Sequence, residues 1–182
     1  MSKVRLDLYN NYWYEPGSKV KICFWMLISS LFFKNSLPIP SKIKVIFLRL
    51  FGARVGKGVV IKPSVSIKYP WNLYIGDNSW IGEDVWIDNL VLVKIEPHAC
   101  VSQGALLLTG NHDFTKPNFD LLVGEIHIKS GAWVGAKSIV CPGVTLHSHT
   151  VLAVGSVATR DLTEYSIYQG NPATKKKDRI II

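Results

Sequence analysis

The sequence predicts an all-β fold, a parallel β-helix of about five triangular coils with an N-terminal helical extension and a protruding loop. Three observations predict it. An aliphatic residue recurs every six positions, small or β-branched residues recur four positions later, and the register breaks repeatedly at equivalent places. Because a helix has a period of 3.6 and a simple strand a period of 2, neither element alone produces a period of six. A short strand followed by a turn, repeated three times around a triangle, does produce it.

The aliphatic column defines the coils, and fourteen of its fifteen members are Ile, Val or Leu. We expect these side chains to point inward, so that stacked coils bury one another's apolar faces through parallel ladders. The chain then divides into an apolar and basic helical extension (1–54), a β-helix (55–163) and a C-terminal segment with a basic tail (164–182). In groups of three, the column reads Val55, Ile61, Ile67; Ile75, Ile81, Ile87; Ile95, Val101, Leu107; Ile128, Val134, Val140; and Leu146, Leu152, Ala158.

The register breaks three times, each time after the third strand of a coil. Extra residues lie within segments 68–74, 88–94 and 108–127, and the last of these is a protruding loop with fifteen additional residues. Because the third strands stack, all three segments should project from the same corner of the prism. Loops on a rigid scaffold commonly carry function. This corner contains Trp71, Asn72, Asp88, Asn89, Asn111, His112 and Asp113.

Charge and cysteine content exclude several classes of protein. The net charge is +8, but the excess of Lys and Arg lies in residues 1–57 and 174–182, whereas residues 58–173 carry seven basic and ten acidic residues. A nucleic-acid-binding module would carry a basic face with aromatic platforms on its folded body, so no nucleic-acid partner is expected. Three cysteines without a CxxC pair favour reduced thiols and a cytoplasmic location.

The N-terminal extension contains two predicted helices. Residues 22–33 are apolar, but a twelve-residue helix reaches only about 18 Å and does not span a bilayer of about 30 Å. No small-residue cleavage site follows, which argues against a signal peptide. Residues 42–51, with Ser41 as N-cap and Gly52 as stop, predict an amphipathic helix.

Two interpretations of this extension remain open. Residues 19–51 would bind an anionic membrane surface through apolar side chains and the basic Lys42, Lys44 and Arg49. Alternatively, the same apolar faces would pack against the first coil and cover its unpaired strand edges.

Short motifs carry a family resemblance over residues 48–175. The segments VGKGV, IGDNS and IGEDV, which begin at Val55, Ile75 and Ile81, resemble the hexapeptide repeat of left-handed β-helix acyltransferases. Left-handed coils are implied by this resemblance and not by the periodicity. GNHD at 110–113, PGV at 142–144, GSVATRD at 155–161 and GNPA at 170–173 resemble the sugar O-acetyltransferase branch. LRLFGARVGKGV at 48–59, with the apolar extension before it, is similar to colanic-acid and exopolysaccharide acetyltransferases.

The predicted chemistry centres on His112, at the start of the long insertion. Acetyl transfer from a thioester to a hydroxyl requires removal of the alcohol proton during attack, and a neutral imidazole suits that role. A donor that stabilises the oxyanion is also required. In the family that this chain resembles, a histidine at this position is the general base, acetyl-CoA is the donor, and the enzyme is a homotrimer with sites between subunits.

The resemblance also implies the remaining site residues. For the acceptor, these are Asp88, Asn89, Asn111 and Asp113, although the Asp88–Asn89 pair also reads as a solvated turn and Asp113 would either orient His112 or cap its loop. For CoA, in a groove between subunits, they are Trp133, Gly135, Ala136, Val154, Gly155, Thr159 and Arg160, with Lys175 and Lys176 near the phosphates. A solvated, frayed terminus is the alternative for those lysines.

No metal site is expected, because the pair His147 and His149 lacks an obvious third ligand.

Together, the repeat, the His112 loop and the family resemblance predict an O-acetyltransferase that moves acetyl from acetyl-CoA to a sugar hydroxyl in cell-surface polysaccharide biosynthesis. The acceptor is expected to be a sugar or a lipid-linked oligosaccharide, met in the cytoplasm or at the inner face of the plasma membrane. Alternatives are another small acceptor (serine, an amino sugar or a xenobiotic) and a non-catalytic β-helix scaffold.

Overall fold

The computed structural model describes residues 3–182. A short 3-10 helix (Leu6–Leu8) is followed by α1 (Lys19–Phe32) and α2 (Ser41–Leu50). The three faces of a triangular prism follow. The first coil consists of β1 (Arg54–Val55), β2 (Val60–Ile61) and β3 (Ser66–Ile67); the second of β4 (Leu73–Ile75), β5 (Trp80–Ile81) and β6 (Trp86–Asp88); and the third of β7 (Val93–Ile95), β8 (Cys100–Val101) and β9 (Leu106–Leu108).

A hairpin then interrupts the coils before two more complete the prism. The hairpin is β10 (Gly110–His112) with β11 (Leu121–Val123). The fourth coil is β12 (Ile126–Ile128), β13 (Trp133–Val134) and β14 (Ile139–Val140), and the fifth is β15 (Thr145–Leu146), β16 (Val151–Leu152) and β17 (Val157–Ala158). The chain ends with β18 (Ser166–Gly170) and β19 (Ala173–Asp178).

Equivalent strands of successive coils stack into three sheets. The first face is the parallel sheet β1-β4-β7-β12-β15, the second is β2-β5-β8-β13-β16 continued by β18 and β19, and the third is β3-β6-β9-β14-β17. Leu162 forms a bridge to Leu146, and β18 pairs in parallel with β16, which adds a partial sixth turn to the five predicted coils. The corner between the third and first faces is called the cleft corner below, and the corner between the second and third faces is called the opposite corner.

The core is the aliphatic column read from the sequence, and all fifteen of its members are buried. The ladders place equivalent members opposite one another, as in the pairs Ile75 with Ile95 and Val134 with Leu152. Full burial of one such side chain stabilises the fold by about 1.5–3 kcal/mol, so the column is the main apolar contribution to folding. Glycine next to the column has a steric reason: a Cβ on Gly82 would lie 2.5 Å from the backbone nitrogen of Gln103 in the next coil.

Helices α1 and α2, together the helical cap, cover the free edge of the first coil. Trp25 Nε1 donates to the carbonyl of Ile67 in β3 at 2.8 Å, and Arg49 donates to the carbonyl of Val55 in β1 at 2.6 and 3.0 Å. At β2, Lys44 Nζ donates to the carbonyl of Lys62 at 2.7 Å, and the hydroxyl of Ser41 accepts from the amide of Ile61 at 2.9 Å. Each strand of the first coil therefore has a side-chain partner from the cap, which favours the capping interpretation of this extension.

These contacts correct two details of the sequence reading. The second helix begins at Ser41 itself, with Pro40 at the N-cap and no side-chain cap. Lys44, read as a leaflet-binding residue, is 0% exposed, and burial lowers the pKa of its ammonium group. Its function in the fold is to satisfy backbone carbonyls at the end of the prism. No helix within residues 3–182 is long and apolar enough to cross a membrane.

Replacing Lys44 by methionine tests the contribution of the cap. The methionine keeps the length of the apolar stem but leaves the carbonyls of Ile61 and Lys62 without their ammonium donor. A buried polar group that loses its partner costs about 1–3 kcal/mol, and urea unfolding should show a loss of that size. The matched variant Lys42→Met, at an exposed position of the same helix, should leave the unfolding free energy nearly unchanged. Equal stability of both variants would contradict a capping role for Lys44.

Candidate active site

A cleft of about 530 Å³ lies at the cleft corner. Strands β3, β6 and β9 end there, so the residues that follow each strand are held side by side by the parallel ladders. The predicted residues Asp88, Asn111 and His112 line it, and an N-terminal segment ahead of α1 forms its other wall. The lining consists of Tyr9, Asn11, Tyr14, Pro16, Lys68, Tyr69, Asp88, Leu90, Gly110, Asn111, His112 and Leu121.

The protruding loop is an antiparallel hairpin that carries His112 over the cleft. Strand β10 pairs with β11, and His112 lies opposite Leu121 in the ladder. The base of the hairpin is tied to the prism by Thr109, whose hydroxyl donates to the carbonyl of Asp88 at 2.8 Å. Gly110 allows a close approach there, since a Cβ at this position would lie 2.6 Å from Leu90 Cδ1. The histidine is therefore positioned by strand pairing and not by a free loop.

The environment of His112 selects one tautomer of its imidazole ring. Nδ1 lies 3.0 Å from the carbonyl oxygen of Phe119, and a carbonyl can only accept, so Nδ1 carries the hydrogen. The ring stacks on Phe119, with centroids 4.5 Å apart and planes at 11°, and meets the edge of Tyr9 at 5.7 Å. In the neutral ring, Nε2 then carries the lone pair. No protein group within residues 3–182 hydrogen-bonds to this nitrogen, which leaves it available to a bound hydroxyl.

Asp88 supplies a carboxylate to the same cleft. Its Oδ1 lies 2.8 Å from Lys68 Nζ, an ion-pair contact without the alignment of a hydrogen bond. The backbone carbonyl of Asp88 accepts from the amide and the hydroxyl of Thr109, which fixes the residue relative to the hairpin. The solvated-turn reading is therefore incomplete for Asp88, because the carboxylate is mostly buried and lines the cleft.

Asn89, predicted to bind the acceptor, has a different role. Its side chain is 0% exposed, and its amide nitrogen donates to the carbonyls of Tyr69 at 2.6 Å and Asn72 at 3.1 Å. Its oxygen accepts from the amides of Lys68 and Tyr69. With every donor and acceptor engaged, the side chain has none left for a ligand. The correction is that Asn89 positions segment 68–72, one wall of the cleft.

Asn89→Ala should therefore destabilise the protein. Four hydrogen bonds are lost, and the backbone groups of Lys68, Tyr69 and Asn72 lose buried partners, so the expected cost is about 2–4 kcal/mol by urea unfolding. Asn111→Ala, at the exposed residue of the cleft next to His112, is the matched control and should cost less than about 0.5 kcal/mol. Similar unfolding free energies for the two variants would show that Asn89 does not hold this wall.

Asp113 caps the hairpin loop, which settles the alternative left open by the sequence. Its Oδ1 accepts from the amide and hydroxyl of Thr115, and its Oδ2 lies 3.5 Å from Lys116 Nζ. These contacts hold the pKa of the Asp113 carboxyl below its usual range. It makes no hydrogen bond to the His112 ring, whose Nδ1 is engaged by Phe119 instead. The structure therefore gives Asp113 a turn-forming role, and the residue is not among those that line the cleft.

Four of the predicted CoA residues lie together at one corner of the prism, and the others are distributed elsewhere. Gly135, Ala136, Val154 and Gly155 follow β13 and β16 at the opposite corner. Gly155 has φ +66°, and a Cβ there would meet nothing within 4 Å, so this backbone is open to an approaching ligand. Gly135 is different, because its Cβ would lie 2.6 Å from the carbonyl oxygen of Leu152; this glycine is required by coil stacking.

The other predicted CoA residues lie on the second face, at the cleft corner and on the edge strand β19. Trp133 points outward from β13, donates from Nε1 to Ser102 Oγ at 2.8 Å, and lines a depression of about 400 Å³ with Trp80 and Cys100. Thr159 and Arg160 follow β17 at the cleft corner, two coils beyond the hairpin. Lys175 and Lys176 lie on β19, an ordered edge strand paired with β18, which replaces the frayed-terminus interpretation. Lys175 also pairs with Asp178 at 2.7 Å.

Within a single chain, Ala136 and Gly155 do not meet His112. The opposite corner and the cleft corner are separated by the full width of the third face. A strand and its flanking turn of about five residues span roughly 15 Å at about 3.3 Å per residue. These predicted CoA residues and His112 therefore lie at different corners of the same chain.

Sequence reasoning missed the N-terminal wall of the cleft. Tyr14 donates its hydroxyl to the carbonyl of Leu90 at 2.8 Å, and burial raises its pKa above the usual range. Trp71 Nε1 donates to the carbonyl of Pro16 at 3.0 Å, and the amide of Arg5 donates to the carbonyl of Pro117. The available signal was the concentration of aromatic residues in the polar segment 9–14, YNNYWY.

No cluster of three or more His, Cys, Asp or Glu suited to a metal ion occurs in the described part of the chain. The three cysteines are free thiols. The His149 ring packs against that of Tyr165, with centroids 4.7 Å apart and planes tilted by 31°, whereas His147 is exposed. His149 is therefore engaged by a neighbouring aromatic ring at the surface of the prism.

Comparison with known proteins gives the family. The chain is 35% identical over 167 residues to the putative colanic acid biosynthesis acetyltransferase WcaF of Escherichia coli, an alignment that covers 92% of each chain. The structure of a maltose O-acetyltransferase from Clostridium difficile superposes with a TM-score of 0.79 at 21% identity, covering 90% of both chains. The hexapeptide-repeat acetyltransferase VCA0836 of Vibrio cholerae, solved with acetyl-CoA, superposes with a TM-score of 0.73 at 19% identity, covering 80% and 81% of the two chains.

No family model matches the sequence. The structural likenesses confirm the predicted fold class, a left-handed parallel β-helix, and the extent and identity of the WcaF alignment confirm the predicted family. The chain is an acyltransferase and belongs to the hexapeptide-repeat acetyltransferases of the WcaF type.

Proposed function

We propose that this protein transfers an acetyl group from acetyl-CoA to a sugar hydroxyl in the biosynthesis of a cell-surface polysaccharide, with His112 as general base. The observation that carries the proposal is the fixed tautomer of His112, with Nδ1–H on the carbonyl of Phe119 and Nε2 unengaged in the cleft. The similarity to WcaF, named for colanic acid biosynthesis, and to the maltose O-acetyltransferase supports the acceptor class, and the acetyl-CoA complex of VCA0836 supports the donor.

The reaction requires a single proton to move twice. Nε2 of His112 accepts the proton of the acceptor hydroxyl while its oxygen attacks the thioester carbon. The tetrahedral intermediate collapses, the carbon–sulfur bond breaks, and the imidazolium returns the proton to the departing thiolate. The contact of Nδ1–H with Phe119 stabilises the imidazolium, because that hydrogen bond becomes charge-assisted when Nε2 is protonated.

The composition of the cleft supports a sugar as acceptor. Tyr9, Tyr14 and Tyr69 offer aromatic surface, on which the apolar faces of a sugar ring can pack. Asp88 and Asn111 offer oxygen and amide groups to the hydroxyls. We propose Asp88 and Asn111 as acceptor-binding residues and leave Asn89 and Asp113 in the positioning roles described above.

The proposed assembly is a homotrimer with three sites between subunits. This proposal is supported by the distance within one chain between His112 and the open backbone at Gly155, which are separated by a whole face of the prism. A neighbouring chain would supply Trp133, Ala136, Val154 and Gly155, with Thr159, Arg160, Lys175 and Lys176 near the CoA phosphates. We further propose that the enzyme works in the cytoplasm and meets a lipid-linked oligosaccharide at the inner face of the plasma membrane.

The test is acetyl transfer by the purified full-length chain. Thiol release from acetyl-CoA is followed with a panel of mono- and oligosaccharides, with serine, with amino sugars and with a membrane extract that contains lipid-linked oligosaccharides. Mass spectrometry then locates the acetyl group. O-acetylated sugar confirms the proposal. Faster transfer to serine or to an amine would assign a different small acceptor, and no thiol release with any acceptor from a correctly folded oligomer would favour a scaffold.

A further inference from the structure

The helical cap has a second apolar surface that its packing on the first coil does not cover. On α1 the buried face is formed by residues such as Trp25 and Ser29, yet Val20, Phe24, Leu27 and Leu31 are exposed. Their spacing of four, three and four residues places them on a single stripe of the helix. A solvated helix of a protein with no further partner would carry polar side chains there.

Helix α2 repeats the pattern. Its buried residues Lys44, Val45 and Leu48 face the prism, whereas Ile43, Ile46 and Leu50 are exposed, and Leu50 is 73% exposed. At 100° per residue this second stripe lies nearly opposite the buried face, with Ile46 also lining a depression between α2 and residues 56–60 of the first coil. The two helices contact each other through Phe32 and Phe47, whose ring centroids are 4.5 Å apart. Both stripes therefore belong to one surface element at the end of the prism.

The charge around this element has a single sign. No Asp or Glu occurs between Glu15 and Asp77, a stretch that contains ten Lys and Arg residues. Among residues 3–182, the only ion pair made by these ten is that of Lys68 with Asp88. Lys19, Lys34 and Lys42 are exposed at the ends of the two helices. Exposed apolar stripes flanked by unpaired lysines are the combination by which monotopic helices bind anionic bilayers.

We infer that the helical cap is a monotopic membrane-binding surface whose partner is an anionic lipid leaflet. The exposed stripes of α1 and α2 enter the interface, and Lys19, Lys34 and Lys42 contact the headgroups. This joins the two interpretations of the extension, because one face of each helix closes the first coil while another is left to bind lipid.

The cleft lies close to the helical cap. Lys68 and Tyr69 of the cleft belong to the first coil, and Asp88 belongs to the second, so they lie within about two coil rises, or roughly 10 Å, of the cap. Lys21 of α1 lies over the Trp71 ring at 4.5 Å, which ties the cap to the wall of the cleft. A docked cap therefore holds the cleft close to the membrane surface, within reach of a sugar carried on a lipid headgroup.

Flotation of the full-length protein with vesicles tests this surface without any acetyl transfer, so its failure is distinguishable from failure of the proposed function. Binding is expected to vesicles that contain phosphatidylglycerol, and to weaken when salt is raised from about 0.05 M to about 0.5 M. The variant with Phe24→Gln, Leu27→Gln, Ile46→Gln and Leu50→Gln should lose binding at least about ten-fold. Ile180→Gln with Ile181→Gln, exposed residues that follow β19, is the matched control and should bind normally.

The lysines are tested in the same assay. Lys19→Glu with Lys42→Glu should weaken binding at least about twenty-five-fold, because each lysine near an anionic surface contributes about five-fold. Lys137→Glu with Lys177→Glu removes the same charge from exposed positions outside the cap and should have little effect. Circular dichroism and mass measurement establish that each variant is folded. Absence of flotation at low salt, or equal flotation of the stripe variant, would overturn the inference. Assembly of the protein into larger oligomers through the stripes, without lipid binding, would assign the surface to a second copy instead.

Discussion

Replacing His112 by alanine should lower kcat about 10²–10⁴-fold, or roughly 3–5 kcal/mol of barrier, with little change in fold. The substitution removes the imidazole ring, whose unengaged Nε2 in the cleft is the proposed proton acceptor. The ring also stacks on Phe119, so thermal unfolding of the variant is measured alongside turnover. A folded variant must retain its oligomeric mass before its rate is interpreted.

The control for this substitution is His147→Ala. His147 is exposed on the fifth coil and lies outside the cleft, so its removal should leave turnover within about two-fold of the unmodified protein. A purified, folded His112→Ala protein that keeps more than about a third of the original turnover would show that His112 is not the base.

Mixing two inactive proteins should restore activity if the site lies between chains. Ala136→Trp fills the backbone groove at the opposite corner, where the carbonyl of Ala136 accepts from the amide of Gly155, and it should reduce turnover at least about a hundred-fold by blocking the donor. His112→Ala lacks the base. In a hybrid assembly, some sites combine an intact groove from one chain with an intact histidine from its neighbour, so activity should return in proportion to such sites.

The mixing experiment requires two controls. Subunit exchange is verified by native mass spectrometry with a size-tagged chain, and His147→Trp provides a bulky substitution in the fifth coil that should not block the groove. No recovery after verified exchange would place the whole site within one chain. That result would contradict the intersubunit arrangement while leaving the acetyltransferase assignment intact.

The repeat could be predicted well from the sequence because it depends on local spacing. Each member of the aliphatic column meets the equivalent residue of the next coil, so the period alone identifies the core, and the breaks in the period identify the cleft corner. His112 followed from its place in the longest break. The family resemblance, by contrast, assigned Gly135 to CoA, although the close approach of Leu152 already explains that glycine.

Segments outside the repeat could not be read in this way. Tyr14 reaches the cleft through a contact with Leu90, 76 residues away, and no periodic signal reports so distant a partner. Asn89 and Asp88 are neighbours in sequence, yet one is enclosed by the loop 68–72 and the other lines the cleft. Lys44 looked like a surface charge on an amphipathic helix, because the sequence does not show that its ammonium group meets the carbonyls of the first coil.

The stacking of the coils places the cleft and the predicted CoA residues in different coils, so each can change independently. The proposed acceptor cleft is built by the first three coils, the hairpin and the N-terminal segment, whereas the predicted CoA residues belong to the fourth and fifth coils and to β19. Since each coil contacts only its neighbours, a coil gained or lost between these groups would shift one against the other by about 4.8 Å and disturb neither internally. Changes in the first three coils can therefore alter the proposed acceptor cleft while the predicted CoA residues keep their positions relative to one another.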